Sequence, residues 1–304
     1  MTSENLRVKV GDLQLRNPTL LAGGILGLTG ASLKRVWESG AGAIITKSIG
    51  LESRKGYPGP SVAQTPCGLV NALGLPNPGI EYALEEIKVA RESKATLLGS
   101  VFGRNVEEFE VLASKMEKAG VDAIEFNLSC PHAEDIPMIG QDPKLTKNVL
   151  KVRDNLETPI WVKLPGNTHL SNLVEVAKSA EEGGADALVI SNTFPAMAIN
   201  ARAERPILGH KVGGLSGQAI RPIGLRLVYE VYKEVEIPIV GAGGVASGEN
   251  MIEYVLAGAS AVEVGMSIIE SGLGIFQEIC EEASSYLEGR KIKDLVGLAH
   301  QNLD

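Results

Sequence analysis

Ala119-Gly120-Val121-Asp122-Ala123 is one of three similar junctions in this chain; the others are Gly183-Gly184-Ala185-Asp186-Ala187 and Ala257-Gly258-Ala259-Ser260-Ala261. Each closes a segment of helical periodicity and opens a short apolar run. Glycine suits the left-handed residue that ends a helix, and the run after it reads as a buried parallel strand. Outward from these junctions, strand-like runs fall at Thr19–Ala22, Ala43–Thr46, Thr96–Ser100, Ala123–Asn127, Ile160–Leu164, Ala187–Ser191, Ile237–Gly241 and Ala261–Val264. Helical periodicity separates them over Ser32–Ser39, Ile80–Ser93, Val106–Ala119, Lys144–Asn155, Leu170–Glu182, Ile220–Val235 and Gly248–Ala257, and a last helix is expected from about Ile268 to Leu287.

Repeated strand–helix units of this kind predict an α/β fold, a closed (β/α)8 TIM barrel. An open doubly wound sheet is the competing fold. Its Gly-x-Gly-x-x-Gly fingerprint should follow the first strand, and Ala22-Gly23-Gly24-Ile25-Leu26-Gly27 lacks that spacing. The length of 304 residues suits a single domain over 1–304, since such barrels take about 250 residues plus insertions. No Ser/Pro-rich linker or charge run marks a boundary. Two kinds of addition are expected. Leu6–Val10 and Leu13–Leu15 flank Gly11-Asp12 as an N-terminal hairpin. Gly50–Gly79 and Phe194–Gly217 read as long Gly/Pro-rich loops without secondary structure, both on the strand-end face where barrel active sites lie.

Composition narrows the function classes. A net charge of −8 and the absence of a basic stripe argue against nucleic-acid binding. Met1–Val10 has no signal-peptide-like apolar run, and no stretch approaches the roughly 20 apolar residues of a membrane span. A cytoplasmic protein is expected. The three cysteines, Cys67, Cys130 and Cys280, form no disulfide framework by spacing. They are also too few for a four-thiolate iron–sulfur cluster within the chain.

Four groups of residues carry chemistry. Asn127-Leu128-Ser129-Cys130-Pro131-His132 ends the fourth strand, so Cys130 stands in a polar loop at the barrel mouth. Cys280 sits on an apolar helical stripe and reads as packing. Lys47 and Lys163 each follow a β-branched run. Buried lysine is costly without an anion or a cavity, so these two imply an anionic ligand, or else a structural salt bridge to a barrel carboxylate such as Glu125. Asn71, Asn127 and Asn192 offer paired donors and acceptors to a ring bearing amide or carbonyl groups, such as a pyrimidine. Ala242-Gly243-Gly244-Val245 and Gly265-Met266-Ser267 follow strands seven and eight, where these barrels commonly bind phosphate through backbone N–H groups.

Thr46-Lys47-Ser48, Leu69 to Gly79, Asn127 to Pro131, Val162-Lys163-Leu164, Ser191-Asn192-Thr193, Gly213 to Gly217 and Gly241 to Val245 together resemble the dihydroorotate dehydrogenase family over nearly the whole chain. The resemblance implies one FMN at the barrel mouth, held by Gly23, Lys47, Ser48, Asn127, Lys163, Ile190, Gly217, Gly243, Gly244, Gly265 and Met266. It implies that dihydroorotate meets Lys47, Asn71, Ala72, Leu73, Gly74, Leu75, Asn127, Asn192 and Thr193. Cys130 corresponds to the catalytic base of the soluble branches, and Lys163 to the cation that stabilises the reduced flavin. Asn71 to Leu75 and Gly213 to Gly217 look most like the NAD-linked subgroup. That subgroup joins a homodimeric core to a partner subunit carrying FAD and a [2Fe-2S] cluster, as a heterotetramer. No resident metal is implied for this chain.

Two departures keep other enzymes in view. Ala22-Gly23-Gly24 stands where the family often has Ala-Ser-Gly, and His132 where it often has Asn. His132 and Gly140-Gln141-Asp142-Pro143 resemble dihydropyrimidine dehydrogenases instead. A pyrimidine reductase is therefore the runner-up enzyme, and a fumarate-linked dihydroorotate dehydrogenase is the alternative as to electron acceptor. A Schiff-base lyase using Lys163 and a non-catalytic scaffold are the alternatives outside it.

Overall fold

The computed structural model describes residues 4–129 and 138–301. β1 (Val8–Val10) and β2 (Leu13–Leu15) form the expected antiparallel hairpin. β3 (Thr19–Leu21) and β4 (Ile44–Ile45) start the barrel, and β5 (Val62–Thr65) and β6 (Gly68–Asn71) leave it. β7 (Leu97–Val101), β8 (Ala123–Asn127), β9 (Ile160–Lys163) and β10 (Ala187–Ile190) continue it. A second excursion holds β11 (Phe194–Met197), β12 (Ile199–Asn200), β13 (Arg205–Pro206) and β14 (Val212–Ser216). β15 (Ile239–Ala242) and β16 (Ala259–Val264) complete the set.

The barrel strands are parallel and run in the order β3-β16-β15-β10-β9-β8-β7-β4. A parallel bridge between Leu20 and Ala43, with Leu21 N donating to Ala43 O at 3.1 Å, joins the two ends of that order and closes the barrel. The residues of β7, β9, β10 and β15 are all buried, as expected for strands with helices outside and side chains inside. Phe126 of β8 packs its ring on Phe109 of the helix Val106–Lys118, at 4.7 Å between centroids. Strand alternation then sends Glu125 and Asn127 to the opposite face, into the barrel.

The junctions that decide the fold have a further purpose. Gly120, Gly184 and Gly258 all take positive φ, at 76°, 92° and 119°. Asp122 Oδ2 accepts from Leu97 N at 2.8 Å, and Asp186 Oδ2 accepts from Ile160 N at 2.8 Å. Each aspartate thus ties the start of its own strand to the start of the neighbouring one, and Arg91 and Arg153 balance the charge.

Two expectations are corrected. The last helix is divided into Ser267–Ser271 and Ile275–Leu287, because Gly272 turns left-handed at φ 72°. The two long excursions are not structureless. They pair with each other as a four-stranded antiparallel sheet, β11-β14-β6-β5, with Asn71 opposite Gly214 and Phe194 opposite Leu215. Ala63, Val70, Ala72 and Leu208 give this sheet a small core of its own.

Candidate active site

The C-terminal ends of the barrel strands and the four-stranded sheet enclose a cavity of about 340 Å³, within the roughly 300–1,000 Å³ of small-molecule sites. Its walls include Gly23, Lys47, Ser48, Asn127, Lys163, Gly217, Gly243, Gly244, Gly265 and Met266 from the expected cofactor set. They also include Asn71, Ala72, Leu73, Gly74, Leu75, Asn192 and Thr193 from the expected substrate set. Ile190 is fully buried within β10 and is not part of the wall; the next residue, Ser191, lines it instead. Cys130 and His132 lie outside the described residues.

The substrate-side residues are held by the sheet. Asn71 Nδ2 donates to Gly214 O at 3.2 Å. A Cβ on Gly214 would fall 2.1 Å from Thr193 Oγ1, so only glycine lets this strand lie on the end of β10. Leu73 O accepts from Tyr57 N at 2.9 Å, Gly74 O from Arg54 Nε at 2.9 Å and Leu75 O from Asn77 Nδ2 at 2.9 Å. These bonds fix the left-handed turn at Gly74 and Leu75, at φ 71° and 55°.

On the opposite wall, the loop after β15 is held by the buried Tyr254, whose hydroxyl donates to Gly243 O at 2.8 Å. Burial raises the Tyr254 phenol above its ordinary range, so it stays a donor. Gly244 has φ 72°, and a Cβ there would stand 2.7 Å from Arg221 Cβ and 2.8 Å from Gly217 O. This wall therefore presents bare backbone.

The floor is ionic. Lys163 Nζ donates to Glu263 Oε2 and lies 3.9 Å from Glu125 Oε2. The structural ion pair with a barrel carboxylate such as Glu125 is present, and Glu263 joins it as the nearer partner. Burial alone would lower the Lys163 ammonium. The charges of Glu125 and Glu263 and the hydrogen bond to Glu263 outweigh it and raise the lysine, which stays charged. Its positive charge is thus partly spent inside the protein and does not by itself require an anionic ligand.

From the floor a hydrogen-bond chain climbs to the mouth. Asn192 Nδ2 donates to Ser129 Oγ at 2.7 Å, Ser129 Oγ to Asn127 Oδ1 at 2.6 Å, and Asn127 Nδ2 to Ser48 Oγ at 3.0 Å. Ser48 and Ser100 share a bond of 2.9 Å, and Ser100 Oγ donates to Glu125 Oε1 at 2.7 Å. Ser100 and Glu263 are site residues that no motif pointed to. The available signal was a carboxylate inside the apolar strand Ala261-Val262-Glu263-Val264, where burial demands a partner. Cys280 is buried in Ile275–Leu287, and burial pushes its thiol up to about 11, as suits a packing cysteine. Among the described residues no cluster of His, Cys, Asp and Glu could hold a metal, and no helix is long and apolar enough to cross a membrane.

Comparison with known proteins agrees in fold and family. A crystal structure of the dihydroorotate dehydrogenase of Eimeria tenella in complex with ferulenol superposes with a TM-score of 0.86, covering 99% of this chain and 90% of that one at 20% identity. This shows the barrel fold. The chain is 42% identical to the dihydroorotate dehydrogenase B (NAD(+)) catalytic subunit of Methanocaldococcus jannaschii, over 97% of this chain and 98% of that protein. It is 43% identical to the subunit of the same name from Pyrococcus furiosus, over 98% and 99%. The model of the family described as dihydroorotate dehydrogenase matches residues 5–287, so the chain belongs to the dihydroorotate dehydrogenase family.

Proposed function

We propose that this chain is a catalytic subunit that oxidises dihydroorotate to orotate in pyrimidine biosynthesis, with FMN as the first electron acceptor. The observation that carries this reading is the cavity itself. It brings Lys47, Asn71, Asn127, Asn192 and Thr193 together with Gly243, Gly244, Gly265 and Met266 around one space.

The residues present fit FMN. Gly243 and Gly244 both have positive φ, which disfavours any side chain, and at Gly244 a Cβ would also collide with Arg221 and Gly217. Their N–H groups, with those of Gly265 and Met266, would hold the phosphate. Ser48, Asn127 and Lys163 would meet the ring, with Gly23 beside them on the cavity wall. FMN, when bound, supplies the acceptor for the hydride that leaves one ring carbon of dihydroorotate.

The neighbouring ring carbon must lose a proton. Cys130 follows directly on Ser129, which the hydrogen-bond chain holds at the mouth. A thiol of ordinary pKa about 8.5 is a few per cent thiolate at neutral pH, and matching a base to the working pH is what makes it useful. Lys47 would neutralise charge between the two ligands. Leu73, Gly74 and Leu75 already have their carbonyls occupied, and their N–H groups would take the substrate carboxylate. Lys163 keeps a cation at the floor.

The similarity to catalytic subunits of NAD(+)-linked enzymes supports an onward path through a partner subunit with FAD and a [2Fe-2S] cluster, docked on a homodimeric core in the cytoplasm. The test is anaerobic mixing of the flavin-loaded chain with dihydroorotate, dihydrouracil or uracil while flavin absorbance is followed. Rapid bleaching by dihydroorotate is expected. Bleaching by dihydrouracil alone would replace this reading with a pyrimidine reductase.

A further inference from the structure

Three ionisable side chains are packed under the cavity: Glu125 at 0% exposure, Glu263 at 3% and Lys163 at 8%. Their oxygens do not balance. Glu125 Oε1 accepts from Ser100 Oγ, and Glu263 Oε2 accepts from Lys163 Nζ. Glu125 Oε2 and Glu263 Oε1 are buried with no hydrogen-bond donor. At 3.9 Å, Lys163 Nζ is too far from Glu125 Oε2 to serve as that donor. Two ionised carboxylates would also set two negative charges against one positive charge at a buried site. A single proton removes both faults, because it turns one orphaned oxygen into a donor for the other and brings the cluster to neutrality.

We propose that Glu125 and Glu263 share one proton beneath the cavity floor, and that this carboxyl pair positions Lys163 and sets the charge it presents to a bound cofactor. The serine chain decides where the proton rests. Ser100 has one proton and donates it to Glu125, so Ser48 donates to Ser100 while Asn127 donates to Ser48. All of these donors lead to Glu125, so the shared proton rests on the Glu263 side, at Oε1. Burial, with the Glu125 charge and hydrogen bond against the opposing pull of Lys163, pushes the Glu263 carboxyl up to about 8. Among the described residues, the adjoining strands place no other titratable group in register with the pair. Leu20 and Ala242 lie in register with Glu263, and Ser100 and Trp161 with Glu125. Among the described residues, Lys47 is the other cation and Glu270 the other carboxylate lining the same cavity.

With the proton in place, Lys163 answers to one carboxylate and keeps donor capacity for a ligand above it. When the proton leaves, a second carboxylate draws the ammonium down and away from the cavity. The effect on a cofactor rests on the FMN reading; the shared proton does not.

The test uses infrared spectroscopy of the full chain without flavin. A protonated-carboxyl C=O band is expected at neutral pH, fading as the pH passes through about 8. Glu263→Gln, whose amide donates permanently to Glu125, should lack the band and keep the wild-type circular dichroism. Absence of the band in the wild type, or its persistence in the variant, would overturn the shared proton; the wild-type measurement stands even if the variant fails to fold. FMN titration by fluorescence then tests positioning. The wild-type dissociation constant should rise by up to about tenfold per pH unit above the transition, and that of Glu263→Gln should stay flat. A rise unchanged in Glu263→Gln would overturn the positioning role. If the wild type binds no FMN while the band behaves as expected, the shared proton stands and the FMN reading falls.

Discussion

Lys163→Met removes the floor cation and keeps an unbranched chain of similar length. Lys163 is bonded to Glu263 and stands 3.9 Å from Glu125, both buried. Removing one partner of a buried ion pair costs about 3–5 kcal/mol, because the other charge is left uncompensated. In this site proton uptake offsets part of that cost. Burial already pushes the Glu263 carboxyl up, and without the cation nothing opposes that, so its folded pKa lies above the unfolded one. The folded state then binds more protons than the unfolded chain, and stability falls as pH rises through that window. The deficit is therefore largest at alkaline pH and shrinks toward acid. For a domain of this size about 2 °C of Tm corresponds to each kcal/mol, so a fall of roughly 6–10 °C is expected near pH 8. Thermal unfolding followed by circular dichroism at about pH 8 and about pH 5 reads both quantities. Equal melting of variant and wild type at the higher pH, or a larger deficit at the lower one, would refute the ionic account of the floor.

Cys130→Ala should retain FMN and lose flavin reduction by dihydroorotate in stopped flow, whereas Cys130→Ser should keep a trace that grows with pH, since a hydroxyl ionises far less readily than a thiol. Near wild-type rates in the alanine variant would end the assignment of Cys130 as base. Gly244→Ala forces a left-handed alanine, at about 1–2 kcal/mol, and sets its Cβ 2.7 Å from Arg221 Cβ. FMN affinity measured by fluorescence should fall by about tenfold or more, with circular dichroism unchanged; full affinity would remove this loop from the phosphate site. The purified chain should be reduced by dihydroorotate yet form NADH slowly until the partner subunit is added. Fast NADH formation by the lone chain would refute the need for a partner, and partner-independent turnover with fumarate would place it with the fumarate-linked enzymes.

The helix-to-strand junctions carried the fold because their information is local. A glycine at positive φ followed by a buried run marks a boundary wherever it occurs, and Gly120, Gly184 and Gly258 all take that conformation. The strand ends were legible for the same reason, and Lys47, Asn127, Lys163 and Asn192 meet at one cavity. Ile190 is buried within β10 while Ser191 lines the cavity, because successive side chains of a strand point to opposite faces. The role of Cys130 lies in chemistry that its motif suggests and that flavin reduction must test.

What the chain by itself determined is the barrel, the order of its strands and the loops at its mouth, since period and turn chemistry act over a few residues. Tertiary structure alone decided the rest. Asn71 and Gly214 pair across 143 residues to build the sheet over the mouth, and Lys163 finds Glu263 across 100. No local period encodes such partners. They are selected when barrel closure buries a charge or a strand edge and the hydrogen-bonding group that satisfies it arrives from a distant strand.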